Sequence, residues 1–315
     1  MRTSYVAHGM QLYCDFQLAG MVPRLAGGLP TLTLELATPG ELDSAWTGPD
    51  GPSAWRGRLG DGQDLIIQQG LAGETLFTYG SRARFLLDPQ QKRLDCSAAH
   101  DRLDWQRALI GKVLPAISVM RGYEALHAAV VDSPDGVVAI AGASGAGKST
   151  LACELLQRGW PLFADDQLTL EQACLEVRAH PGSPHISLAF AGANATCPNL
   201  GTTIGVLAGE SWLATPTSPS RPRPVRMICL LERRPGRTLA SRVLPANPMR
   251  LANHMLGLST STIRQKRRFA LYCNLVESTP LVAVTGDLQS TPSELADVVQ
   301  LALSAASPPS AAGGA

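Results

Sequence analysis

Over the first hundred positions, apolar residues fall in short blocks separated by turn residues. Tyr5 to Cys14, Thr31 to Ala37, Asp64 to Gln69, Glu74 to Tyr79 and Arg84 to Leu87 are each apolar or alternating runs, the pattern of short β-strands. Residues 1–100 are therefore expected to form a small β-rich domain. The period changes at Asp101. From there to Arg121, Leu103, Leu109, Ile110, Val113 and Leu114 recur at helical spacing, and Pro115 predicts a kink or break. Residues 101–121 thus read as a helical linker. Beyond Leu126, strands and helices alternate. HAAVV and GVVAIAG lead to a helix from Ser149 to Arg158, and the strand-like PLFADD follows. Later come the apolar strand VRMICLL, helices around Met249 to Gly257 and Ile263 to Val276, the strand LVAVT and a helix from Pro292 to Ala305. Alternation of this kind predicts an α/β domain with a mixed or parallel sheet over residues 122–305. Residues 306–315 read as a disordered tail.

Composition narrows the class without naming a chemistry. The 315 residues are 45% hydrophobic and 17% charged with a net charge of +1, which excludes a disordered or fibrous chain. Neutrality hides an asymmetry: Arg221 to Arg268 holds eleven Arg, one Lys and one acid, Glu232. This span is either a solvated face and loop or a clamp for a polyanionic or acidic ligand. Nucleic acid is not expected, because aromatics are only 5% of the chain and do not interleave with the arginines. The longest uncharged run, Ala179 to Gly209, is full of Pro, Gly, Asn, Ser and His, so no membrane span is expected. The seven cysteines form no CxxC pair, and the N-terminus lacks the apolar block of a secretion signal, so reduced thiols and a cytoplasmic location are expected.

The sharpest motif is Gly142-Ala143-Ser144-Gly145-Ala146-Gly147-Lys148-Ser149-Thr150, a GxxxxGK[ST] pattern between an apolar strand and a helix-forming run. Its glycines let successive N–H groups point inward at phosphate oxygens, and the helix adds its positive end. Lys148 is expected on the β- and γ-phosphates of ATP and the Ser149 hydroxyl on Mg²⁺. Asp165 and Asp166 follow seventeen residues after Lys148. If PLFA runs parallel to VVAIA, the two carboxylates reach the same sheet edge, where one holds the metal and the other accepts a proton. His127 precedes a strand that turns through Ser133-Pro134-Asp135-Gly136 into VVAIA. A hairpin there sets it beside Gly142.

LHAAVVD, GVVAIAGASGAGKST and the helix ending in LLQRGWPLFADD together resemble the HPr kinase/phosphorylase family, kinases on a phosphoenolpyruvate-carboxykinase-like P-loop domain. The resemblance covers Leu126 to Leu170 closely. It implies catalytic roles for His127, Lys148, Asp165 and Asp166, Mg²⁺ on Ser149 and the aspartates, and transfer of the ATP γ-phosphoryl group to a Ser or Thr hydroxyl. Which aspartate is base and which holds the metal stays open. Thr150 stands where the bacterial HPr kinases have Glu, and their downstream Glu-containing signature has no counterpart, so HPr and the reverse phosphorolysis are not implied. Tyr5 to Met10 and His180 to Ile186 are similar to segments of the HPr kinase-related kinases of lasso-peptide pathways, which implies a peptide acceptor. Related kinases form rings, so the resemblance also implies a homo-oligomer. A small-molecule kinase and a nucleotide-gated binding module carry the same loop and stand as alternatives.

Overall fold

The computed structural model describes residues 2–48, 55–99, 103–174, 176–189, 200–207, 209–216, 219–258 and 262–306. Of the expected tail, 306–315, residues 307–315 lie outside the described residues, as does Cys197. The chain is mixed α/β, with mixed sheets.

The first unit is an eight-stranded sheet of β1 (Thr3–Ala7), β2 (Met10–Cys14), β3 (Thr31–Leu36), β4 (Trp55–Arg58), β5 (Asp64–Gln69), β6 (Thr75–Tyr79), β7 (Ala83–Leu87) and β8 (Arg93–Ala98). Its order is β1-β2-β3-β8-β7-β6-β5-β4, with β3 parallel to both β2 and β8. The β1–β2 hairpin turns on His8 and Gly9 alone, both at positive φ, as a two-residue turn matched to strand twist demands. A short helix, α1 (Pro39–Ala45), opens with a capping box between Thr38 and Glu41.

The segment expected as a linker is instead part of this unit's core. Helix α2 (Asp104–Ala108) passes through a π-helical turn (Leu109–Val113) into α3 (Leu114–Met120). Leu109, Val113, Leu114 and Ile117 are fully buried against Leu12, Phe77, Phe85 and their neighbours in the sheet. Pro115 does not break the helix. It follows the π-helical turn directly, in the first turn of α3.

The second unit is a nine-stranded sheet. It contains β9 (Glu124–Leu126), β10 (Ala128–Ser133), β11 (Gly136–Gly142), β12 (Leu162–Ala164), β13 (Leu168–Ala173), β14 (Glu176–His180), β18 (Arg223–Arg233), β19 (Ala240–Leu244) and β20 (Leu281–Gly286). The three-stranded sheet of β15 (His185–Ala189), β17 (Glu210–Ala214) and β16 (Thr202–Leu207) lies between the units: Trp212 packs in the first core, Leu213 in the second. Strand β11 is buried throughout, and its side chains alternate between two cores. Val138 and Ile140 face α4 (Lys148–Gln157) and α6 (Pro292–Ala305), which Arg158 ties together through Asp297 at 2.6 Å. Ala139 and Ala141 face α5 (Thr262–Ser278). The region around Met249 is a 3₁₀ helix (Pro248–His254).

The expected hairpin is present: β10 and β11 pair antiparallel with Ala128 opposite Ala141. Strand β12 runs in the same direction as β11 but pairs with β10, which lies between them. On the other side, β11 pairs parallel with β18, and β18 with β20. Both β11 and β12 therefore end at one edge, which sets the loop after β11 beside Asp165 and Asp166. Among the described residues, no helix is long and apolar enough to cross a membrane.

Candidate active site

The Gly142–Thr150 loop leaves β11 where only glycine fits: a Cβ on Gly142 would stand 2.7 Å from the Leu231 carbonyl of β18. It enters α4 through Gly147 at φ +94°, a left-handed conformation unfavourable to other residues. Lys148 folds back over the loop, its Nζ donating to the Gly142 and Ala143 carbonyls, each at 3.1 Å. Loss of water lowers the pKa of this ammonium, and Asp165 and Asp166 act against that shift.

The loop and the aspartates meet directly. Ser149 Oγ donates to Asp165 Oδ1 at 2.9 Å, and the Ser187 N–H donates to Asp165 Oδ2 at 3.0 Å. Burial pushes the Asp165 carboxyl up to about 6. The Ser187 bond opposes that rise and the Asp166 charge adds to it. Asp166 has the opposite environment. Burial acts upward on it too, but Lys112 and then His127 outweigh burial and hold this carboxyl well below the usual carboxylate range. Lys112 donates to Asp166 Oδ2, and His127 Nδ1 lies 3.1 Å from Oδ1 and 2.8 Å from the Asp166 carbonyl oxygen. Because a carbonyl only accepts, the His127 proton is on Nδ1 and Nε2 is left for another partner. Asp166 is held at φ +71°, which costs a non-glycine residue about 1 kcal/mol.

Each residue singled out from the sequence has its place on this edge. Lys148, Ser149, Thr150, Ser144, Gly145, Gly147, Asp165, Asp166 and His127 line one cavity of about 520 Å³. Gly142 and Ala143 supply the carbonyls under Lys148, and Ala146 packs against the core beneath. The hard oxygen donors of Ser149, Asp165 and Asp166 suit Mg²⁺. Among the described residues there is no cluster of three or more His, Cys, Asp or Glu able to hold a metal ion.

Sequence reasoning missed the opposite wall. It comes from the first unit: Gly60, Asp61, Tyr79, Arg107, Gly111 and Lys112. No local motif marks it. The available signal was Lys112 itself, set between the apolar residues Ala108 to Ile110 and Val113 to Ile117. Two segments noted only for a diffuse resemblance do come together. The His8 N–H donates to the Pro181 carbonyl at 2.8 Å, and His185 Nε2, on the cavity wall, donates to the Ala19 carbonyl at 2.7 Å, joining the units.

The basic span divides. Arg264 and Arg268 both close on Glu124, which is 2% exposed, at 2.9 Å each. Arg223 is not in a loop but opens β18, and reaches Asp132 at 3.0 Å and the carbonyls of the β10–β11 turn. Arg233 alone of these approaches the loop, with Nη1 3.3 Å from the position a Gly147 Cβ would take. Lys266 and Arg267 are exposed.

No protein-family model matches this chain, and no curated protein matches it. Its structure is distantly similar to that of the HPr(Ser) kinase/phosphatase from Coxiella burnetii, at 13% identity and a TM-score of 0.34, over 56% of this chain and 95% of that one. At that score the chemistry has to be argued from the residues of the site.

Proposed function

We propose that the chain is an ATP-dependent kinase with a phosphoenolpyruvate-carboxykinase-like, HPr kinase-like P-loop domain, and that it phosphorylates a Ser or Thr hydroxyl of a peptide, a lasso-peptide precursor being the model acceptor. The observation that carries this reading is the 2.9 Å bond from Ser149 to Asp165, which joins the phosphate-binding motif to the carboxylate pair. Lys148 would leave its loop carbonyls for the β- and γ-phosphates, acting as a point charge. Ser149 and Asp166 would hold Mg²⁺, which when bound would neutralise charge on the phosphate oxygens. A base works best with a proton affinity near the operating pH, so Asp165 is the carboxylate suited to take the acceptor's hydroxyl proton. Asp166, ionised throughout, is suited to the metal, and His127 Nε2 faces the cavity that would contain the γ-phosphate.

The test is incubation of the chain with γ-labelled ATP, Mg²⁺ and a Ser- and Thr-containing lasso-peptide precursor. Label should appear on the peptide and be lost in the double variant Asp165→Asn, Asp166→Asn, whereas label found only as free phosphate would sink the reading. A small-molecule kinase is the second reading, favoured by the cavity itself. At about 520 Å³ and walled by the first unit, it is the size of a small-ligand pocket. Transfer to a small polyhydroxylated acceptor but not to peptides would select that reading.

A further inference from the structure

We propose that Lys112 is a positioning residue of the transfer site, through which the first unit holds the catalytic carboxylate Asp166 in place. Three observations converge on it.

The first is backbone. Asp166 occupies a left-handed conformation, sparsely populated outside glycine, in which its carbonyl and its carboxylate both turn to neighbouring side chains. Those neighbours are two side chains. His127 takes the carbonyl and Oδ1, and Lys112 takes Oδ2. His127 is itself anchored, its N–H donating to the His254 carbonyl at 2.6 Å. The carboxylate plane is thereby held from both sides, one hold from each unit of the protein.

The second is the helix that delivers the lysine. The segment from Asp104 to Met120 is continuous except for one π-helical turn, Leu109–Val113, and Lys112 lies within it. Such turns shift the register of every later side chain and recur at functional sites. Here Leu109, Ile110, Val113 and Leu114 stay in the core while Lys112 is partly exposed to the cavity. A lysine loses much rotamer freedom when fixed, so holding it where the helix faces the aspartates needs a partner there.

The third is charge. Lys148, the other ammonium in the cavity, spends its hydrogen bonds on Gly142 and Ala143. Lys112 is thus the ammonium that bonds Asp166 directly, and without it Oδ2 loses its hold while His127 keeps Oδ1 and the carbonyl.

The test uses the full-length chain with Lys112→Met and Lys112→Arg. In Mg·ATP turnover, Lys112→Met should lower kcat about ten-fold or more with KM for ATP within about three-fold, and Lys112→Arg should recover most of kcat. The activity-free readout is the ¹H–¹⁵N signal of the His127 Nδ1 proton. It should be protected from exchange in the wild type and in Lys112→Arg, and lost in Lys112→Met. Unchanged kcat and an unchanged imidazole signal in Lys112→Met would overturn the inference, as would Lys112→Arg behaving like Lys112→Met in both. The inference rests on the kinase reading only for its turnover arm. A wild type that phosphorylates nothing while the imidazole signal still follows residue 112 would sink that reading and leave this one standing.

Discussion

The two walls of the cavity are built in opposite ways. On one side, nine contiguous residues, Gly142 to Thr150, carry nearly all the phosphate-directed chemistry, and each local cue agrees with the next: apolar strand, glycines, lysine, helix. On the other side, Gly60, Asp61, Tyr79, Arg107, Gly111 and Lys112 come from three separate stretches, and no motif links them. A contiguous wall binds a ligand that is the same in many proteins. A composite wall suits a ligand particular to one, and under the kinase reading the acceptor would sit there.

The largest expected effect is on the shared edge between the walls. Asp165→Asn with Asp166→Asn should lower phosphoryl transfer by about 10³-fold or more, the scale of losing a base and a charge together, while nucleotide binding persists in part. Equal loss of binding and transfer in equilibrium titration would show that the pair only shapes the loop.

Next comes the basic span, which lies behind the second unit's sheet as well as near the loop. Glu124→Gln leaves Arg264 and Arg268 without their buried carboxylate and should cost about 3–4 kcal/mol in denaturant unfolding, with ATP affinity unchanged. A drop in ATP affinity without a change in stability would return these arginines to the ligand.

The seam between the units is titratable. Burial pushes His8 and His185 down to about 4, against about 6.5 for an ordinary imidazole. Both rings are neutral in the folded protein and protonate first when it unfolds. Their contribution is therefore complete above pH 6.5, falls as pH drops toward 4, and levels off below that. The loss is at most about 3 kcal/mol per ring. His8→Asn keeps a residue suited to the positive φ of the β1–β2 turn and removes one titration, so the slope of unfolding free energy between pH 6.5 and 4 should shrink. An unaltered slope would place the acid sensitivity elsewhere.

The smallest effect tests the composite wall's packing. A Cβ at Gly111 meets nothing within 4 Å, so Gly111→Ala should stabilise the helical segment by about 0.5–1 kcal/mol. Destabilisation would mean that the π-helical turn needs glycine for its backbone.

What could be read in the sequence follows the same division. The hairpin register that sets His127 opposite Gly142 and the shared edge of Asp165 with the loop both follow from turn chemistry and strand direction, which are local. The place of β12 was not legible, because pairing with β10 rather than β11 is decided by packing across the sheet. Helix α1 was legible in principle, since Thr38 and Glu41 form a capping box, although that signal was not used. The stretch from Asp104 to Met120 was misread for a physical reason. Its apolar spacing announces a helix, but not that a π-helical turn accommodates Pro115 and turns Lys112 to the site.

The central claim is that the two walls enclose a phosphoryl transfer from ATP to a hydroxyl. The most direct measurement is mass-spectrometric localisation of the product after reaction with Mg·ATP and a lasso-peptide precursor as acceptor. The predicted result is one phosphoryl ester on a Ser or Thr of the peptide, formed in step with ADP and absent from the reaction with the Asp165→Asn, Asp166→Asn protein. Formation of ADP and free phosphate with the peptide unmodified would contradict it.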